Sequence, residues 1–169
     1  MAKKIIKHGR IVDDSWQVIR LAEGDTPETV VLPEGDLIVP LKVWKAQRQT
    51  LLGRPQRGVW LSPDELAEDV AIDLTYFSVV AIDFPQFADG RGYSTAALLR
   101  SRYGWHGELR AIGDVLRDQL FYMNRVGFDA YAIRADKDMN NALEALNDFS
   151  ETYQAAVDEP LPLFRRRSA

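Results

Sequence analysis

With 169 residues, 46% of them hydrophobic and 27% charged, the chain has the length and balance of one soluble globular domain with a sizeable core. The absence of cysteine excludes disulfides, a catalytic thiol, thiolate ligation of an iron–sulfur cluster and any persulfide relay carried by the chain itself. A net charge of −4 without a long basic stretch argues against a nucleic-acid partner, and no apolar run suits a signal peptide or a membrane span, so a cytoplasmic protein with no membrane partner is expected.

The first 34 residues read as a β-rich arm. Ile5-Ile6 and Trp16-Gln17-Val18-Ile19 are its candidate strands, around a turn at Gly9 and the Asp13-Asp14 pair. The pattern then changes to strand followed by helix. Leu37-Ile38-Val39 is a short apolar run, and Leu41, Trp44, Arg48 and Leu51 fall on one face of a helix over 41–52 that Gly53 stops. Val59-Trp60-Leu61 opens the next unit. Ser62 as N-cap, Pro63 at the first helical position and Glu65 completing a capping box predict a helix beginning there. A third strand over 79–83 precedes a helix from about Ser94 to Tyr103 that Gly104 ends. The fourth strand, over 109–112, leads to a helix capped by Asp114 and terminated by Gly127. The fifth, over 130–134, leads to a long amphipathic helix from near Asp138, with Ala142, Leu146, Phe149, Tyr153 and Ala156 on one face.

Short, nearly continuous apolar strands alternating with helices predict an α/β fold with a mostly parallel sheet of about five βα units, buried on both faces. That is too few for a closed eight-stranded barrel, so an open doubly wound sheet is expected, with a partial, barrel-like arrangement as the alternative. The chain reads as a single α/β domain over 1–159, the arm included, and a Pro/Arg tail over 160–169 whose prolines preclude helix. In the tail, Leu161, Leu163 and Phe164 precede three arginines, a composition for packing on its own domain or for docking in a partner's groove.

Parallel α/β sheets bind ligands at the carboxyl ends of their strands. That rule selects Asp83, the loop from Asp89 to Ser94, Gly113-Asp114 and Arg134, while Arg110 lies within its strand but can point into the same crevice. Gly90 and Gly92 permit close backbone approach at a helix N-terminus, and Arg91 and Ser94 add donors, so an oxyanion, phosphate or carboxylate fits there. The competing reading is a glycine-rich turn in which Asp89 pairs with Arg91 or a neighbour. Asp83 and Asp89 are the candidate acids or bases. Asp83 can also hold a ribose hydroxyl, with structural pairing to Arg110 or Arg134 the favoured reading, and Asp114 can face a ligand, with N-capping of its helix the simpler account. The proposed anion set is thus Gly90, Arg91, Gly92, Ser94, Arg110, Asp114 and Arg134, and Arg91→Ala is expected to abolish anion binding with little loss of stability. His8 and His106 are too few and too far apart for a metal, and no dinucleotide, serine-elbow or zinc-protease motif is present.

Several blocks together resemble a bacterial family, domain of unknown function family 934. They are Ile38-Val39-Pro40-Leu41 with Trp44, Gly58-Val59-Trp60-Leu61, Asp89-Gly90-Arg91 with Tyr93-Ser94, Leu99-Arg100, Gly107-Glu108-Leu109-Arg110-Ala111, Gly113-Asp114-Val115-Leu116 with Asp118-Gln119, and Gly127-Phe128-Asp129. The resemblance runs from the first strand to about Gln154. It implies a place in assimilatory sulfate and sulfite reduction, since members are labelled oxidoreductases of sulfite reduction from the company of their genes, and it carries no catalytic residue with it. Two expectations follow from it. One is a non-catalytic accessory or anion-binding protein of the sulfite reductase system, with sulfite reductase or a neighbouring reductase as partner and a small anion or sulfonucleotide as ligand. The other is a cysteine-free oxidoreductase with a borrowed flavin or nicotinamide. A homodimer is the expectation from base rates alone.

Overall fold

The computed structural model describes residues 3–86, 90–134 and 137–147. Strands β1 (Lys3–Lys7) and β2 (Arg10–Asp14) form a hairpin around His8 and Gly9, both with positive φ, as a two-residue turn between twisted strands requires. After Ser15 the chain continues as β3 (Trp16–Val18), and β4 (Asp36–Pro40), β5 (Gly58–Leu61), β6 (Val79–Phe84), β7 (Glu108–Gly113) and β8 (Ala130–Tyr131) follow. All eight belong to one sheet in the order β2-β1-β8-β7-β6-β5-β4-β3.

That order corrects the expected topology twice. From β3 to β8 neighbours are parallel, whereas β1 is antiparallel to both β2 and β8, so the sheet is mixed rather than mostly parallel. The parallel strands also sit in chain order with no reversal, and a doubly wound sheet needs a reversal. The barrel-like alternative describes the architecture. β2 and β3 occupy opposite ends of the strand order, yet only Ser15 separates them in sequence, so the two ends must meet. Residues 10–18 act as one extended segment that exchanges β1 for β4 as its partner, and Ser15 Oγ donates to Asp36 at 3.2 Å where the exchange occurs. The N-terminal strands therefore nearly close the barrel, as integral members of the sheet.

Strands β4 to β7 separate two apolar environments. Val80 and Ile82 of β6 and Leu109 and Ala111 of β7 join the large core under the helices. The alternate residues Val79, Ala81 and Ile112, with Ile38, form a second cluster that Trp16, Val18, Trp60 and Ala132 line, inside the barrel. Burial on both faces explains why the central strands read as unbroken apolar runs. Among the described residues, no helix is long and apolar enough to cross a membrane.

The helices follow the sequence with local departures. The expected 41–52 helix divides into α1 (Leu41–Ala46) and α2 (Arg48–Leu52), because the Gln47 amide donates to the carbonyls of Pro27 and Val30 at 2.9 and 3.0 Å and holds the backbone at ψ 27°. At Ser62, Glu65 Oε1 accepts the Ser62 N–H at 2.8 Å, but this closes only a turn. Helix α3 (Ala67–Ala71) begins after Leu66, whose N–H is taken by Asp69. Helix α4 (Arg91–Ser101) starts earlier than expected. Helix α5 (Arg117–Val126) is preceded by Leu116 as N-cap rather than Asp114, with the Gln119 side chain on the Leu116 N–H, and ends at Gly127. Asp138 caps α6 (Met139–Asn147) through the N–H groups of Asn140 and Asn141. Phe149, Tyr153, Ala156 and the 160–169 tail lie outside the described residues.

At the other end of the barrel, Arg100 donates to the carbonyls of Trp105, Gly107 and Gly127 and pairs with Asp129 at 3.4 Å. Asp129 also takes the Leu109 N–H at 2.8 Å and so fixes the start of β7. Burial, outweighing the Leu109 hydrogen bond and the Arg100 charge, raises the Asp129 carboxyl above its ordinary value. Its folded pKa exceeds its unfolded value of about 3.9, so this group's contribution to stability is complete below that pH and is lost as pH rises through the folded value. Urea midpoints measured from pH 3.5 upward should therefore fall less steeply in Asp129→Asn than in the parent; identical slopes would assign no titration to this residue.

Candidate functional site

The parallel strands direct their carboxyl ends to one rim, and residues that continue the inward-facing alternation beyond those ends meet at the barrel mouth. Trp16 and Val18 face the interior, and Arg20 stands two residues further along. Asp83 continues the series Val79, Ala81 on β6. Gly113 ends β7 with Asp114 after it, and Arg134 follows the short β8. With Pro85 these residues line an open depression of about 370 Å³.

Two ion pairs organise it. Arg20 grips Asp83 with both terminal nitrogens, at 2.9 and 3.2 Å. The guanidinium lies 5.0 Å from the centre of the Trp60 ring, which is anchored by its indole N–H on the Ile19 carbonyl at 2.9 Å. The Asp83 side chain is 8% exposed, while that of Arg20 is 50% exposed, so the carboxylate belongs to the barrel wall and the guanidinium to the rim. Arg134 donates to Asp114 at 2.9 Å. The partner of Asp83 is thus Arg20, in place of Arg110 or Arg134, and Asp114 faces Arg134 instead of capping α5. Sequence reasoning misses Arg20 because no local pattern marks the arm as part of the barrel; its even spacing after Trp16 and Val18 is the available signal.

The remaining candidates lie elsewhere. Arg91 and Ser94 line a separate groove of about 380 Å³ with Leu66, Leu98 and Tyr103, between α3 and α4. Arg91 pairs there with Asp64 at 2.8 Å in an exposed contact. Gly92 is buried, and a Cβ at this position would meet the Phe84 ring at 2.7 Å and Ile82 at 2.8 Å, so this glycine lets α4 lie close on β6. Gly90 is the N-cap of α4. Asp89 lies outside the described residues. Arg110 points into the barrel below the mouth but is 1% exposed and bound on both sides. Its Nε donates to Glu108 at 2.6 Å, one terminal nitrogen spans both oxygens of Asp14 at 3.1 Å, and Lys7 pairs with Glu108 at 2.8 Å. Among the described residues no three His, Asp or Glu side chains form a metal-sized group.

The arrangement offers guanidinium donors for an oxyanion, carboxylates for a cation or hydroxyl, and a mouth where several strand ends converge. The sequence profile of a family of bacterial proteins of unknown function, DUF934, matches residues 58–164. The chain belongs to that family. The DUF934 match begins at the first residue of β5 and extends past Gln154 into the 160–169 tail, so it starts later and ends further on than the resemblance did. It takes in Asp83, Asp114 and Arg134, while Arg20, Asp14 and the barrel-closing strands of this DUF934 protein precede it. No curated protein and no solved structure matches the chain.

Proposed function

We propose that the protein binds a small oxyanion-bearing ligand of assimilatory sulfate and sulfite reduction at its barrel mouth, as a non-catalytic accessory of the sulfite reductase system. The observation carrying this reading is the convergence of Arg20, Asp83, Asp114 and Arg134, from four different strand ends, on one open depression. The pathway comes from the family resemblance; the place for the ligand comes from the rule that barrels bind at the carboxyl ends of their strands. An accessory role is preferred because Asp83, the buried carboxylate of the mouth, is engaged on both oxygens by Arg20 and is only 8% exposed, so it presents little of itself to a substrate proton.

Calorimetric titration with sulfite, sulfate and a sulfonucleotide tests the reading. Arg20→Ala should weaken binding at least about tenfold, as expected for loss of one charge-assisted contact. Arg91→Ala should leave binding unchanged and, because its pair with Asp64 is exposed, should cost only about 0–1 kcal/mol of stability. The opposite outcome, binding lost in Arg91→Ala and kept in Arg20→Ala, moves the ligand to the α3–α4 groove. Native mass spectrometry of protein purified gently from its own cells addresses catalysis: a retained flavin or nicotinamide favours the oxidoreductase alternative.

A further inference from the structure

We infer that the ligand of the barrel mouth is a small zwitterion, carrying an oxyanion and an ammonium group a few bonds apart, rather than a bare oxyanion. The inference rests on the reading of the mouth as the ligand site and narrows the ligand class. Arg20 commits both terminal nitrogens to the two oxygens of Asp83. A bare oxyanion that captured those N–H groups would strand a carboxylate whose side chain is 8% exposed, and removing one partner of a buried ion pair is strongly unfavourable. The guanidinium has five N–H donors, and half of the Arg20 side chain is exposed. An oxyanion can therefore dock on its outward edge while Asp83 stays in place.

A second guanidinium–carboxylate pair, Arg134 with Asp114 at 2.9 Å, lines the same depression, with its carboxylate more exposed than that of Asp83. Among the described residues lining the mouth, two guanidinium charges are thus matched by two carboxylate charges, and Pro85 and Gly113 add none. An anion approaching such a surface meets attraction and repulsion of similar size. A ligand whose own charges alternate finds a complement at both ends, with the oxyanion toward a guanidinium and the ammonium toward a carboxylate. An aminosulfonate has this chemistry and shares the sulfur oxyanion of the proposed pathway.

Titration of the full chain with 2-aminoethanesulfonate, 2-hydroxyethanesulfonate and sulfate tests the inference, since the first two differ in the ammonium group alone. The aminosulfonate should bind at least about tenfold more tightly than its hydroxyl analogue, and Asp114→Asn, checked as folded by its melting transition, should erase that preference. Equal or tighter binding of the hydroxysulfonate, or binding of sulfite, sulfate or a sulfonucleotide without the aminosulfonate, overturns the zwitterion and leaves the mouth an oxyanion site. No binding of any of these compounds to the unmodified chain overturns the reading of the mouth, and the inference with it.

Discussion

Arg110→Met should lower the unfolding free energy by about 3–5 kcal/mol, the range for removing one partner of a buried ion pair. The expected loss is large because two carboxylates depend on this guanidinium. Asp14 and Glu108, with side chains 7% and 6% exposed, face it inside the barrel, and Lys7 reaches only Glu108. Methionine fills much of the volume but supplies no N–H, so the largely buried Asp14 carboxylate loses its countercharge and keeps the Trp16 N–H at 3.1 Å as a neutral donor. Asp14 is also the last residue of β2, one step before the chain exchanges partners, so the damage falls where the barrel closes. The loss should appear as a lower urea midpoint at unchanged slope, and adding Asp14→Asn to Arg110→Met should restore part of it, because the two residues are directly coupled. A loss below about 1 kcal/mol would mean that water reaches the barrel interior and solvates the carboxylates.

The same network shows what the sequence can and cannot reveal. Val79–Phe84 and Glu108–Gly113 are legible as strands because both of their faces are buried, so apolar residues run almost unbroken. Gly127 is legible as a helix stop because its left-handed backbone is a local requirement. Closure is not legible. It depends on residues 10–18 serving β1 first and β4 afterwards, and no local pattern encodes which distant strand an extended segment will join. For the same reason Asp83 can be placed at a strand end while its partner Arg20, far away in sequence, cannot be identified. At Ser62 the failure is of another kind. Two capping arrangements overlap, Glu65 on the Ser62 N–H and Asp69 on the Leu66 N–H, and only the second precedes a helix. Arg91 and Ser94 do lie near a helix start, as their sequence context implies, but that start faces α3, so proximity in sequence to Asp83 does not become proximity in the site.

Gly113→Ala should be the most damaging small substitution at the mouth, lowering stability by about 2–4 kcal/mol through two separate costs. At φ +92° a Cβ is strained wherever it points, which accounts for about 1–2 kcal/mol. Here it would also lie 2.5 Å from the Phe84 carbonyl oxygen and 2.6 Å from Asp83 Oδ1. The carbonyl cannot withdraw easily, because it accepts the Asp114 N–H at 2.6 Å, the bond that turns the chain out of β7. Asp83 must therefore move, and its displacement rotates the carboxylate away from Arg20, so binding at the mouth should fall together with stability. Gly9→Ala provides the reference. Its φ is +75° and no atom lies within 4 Å of the place its methyl group would take, so it carries the backbone strain without the collision. The difference between the two variants in melting temperature measures the steric part, and a titration of Gly113→Ala with whichever ligand the unmodified chain binds reads the effect on Arg20 and Asp83. Equal losses in the two glycine variants, with binding intact, would show that the methyl group is accommodated and that the close approach of β7 to Asp83 does not shape the mouth.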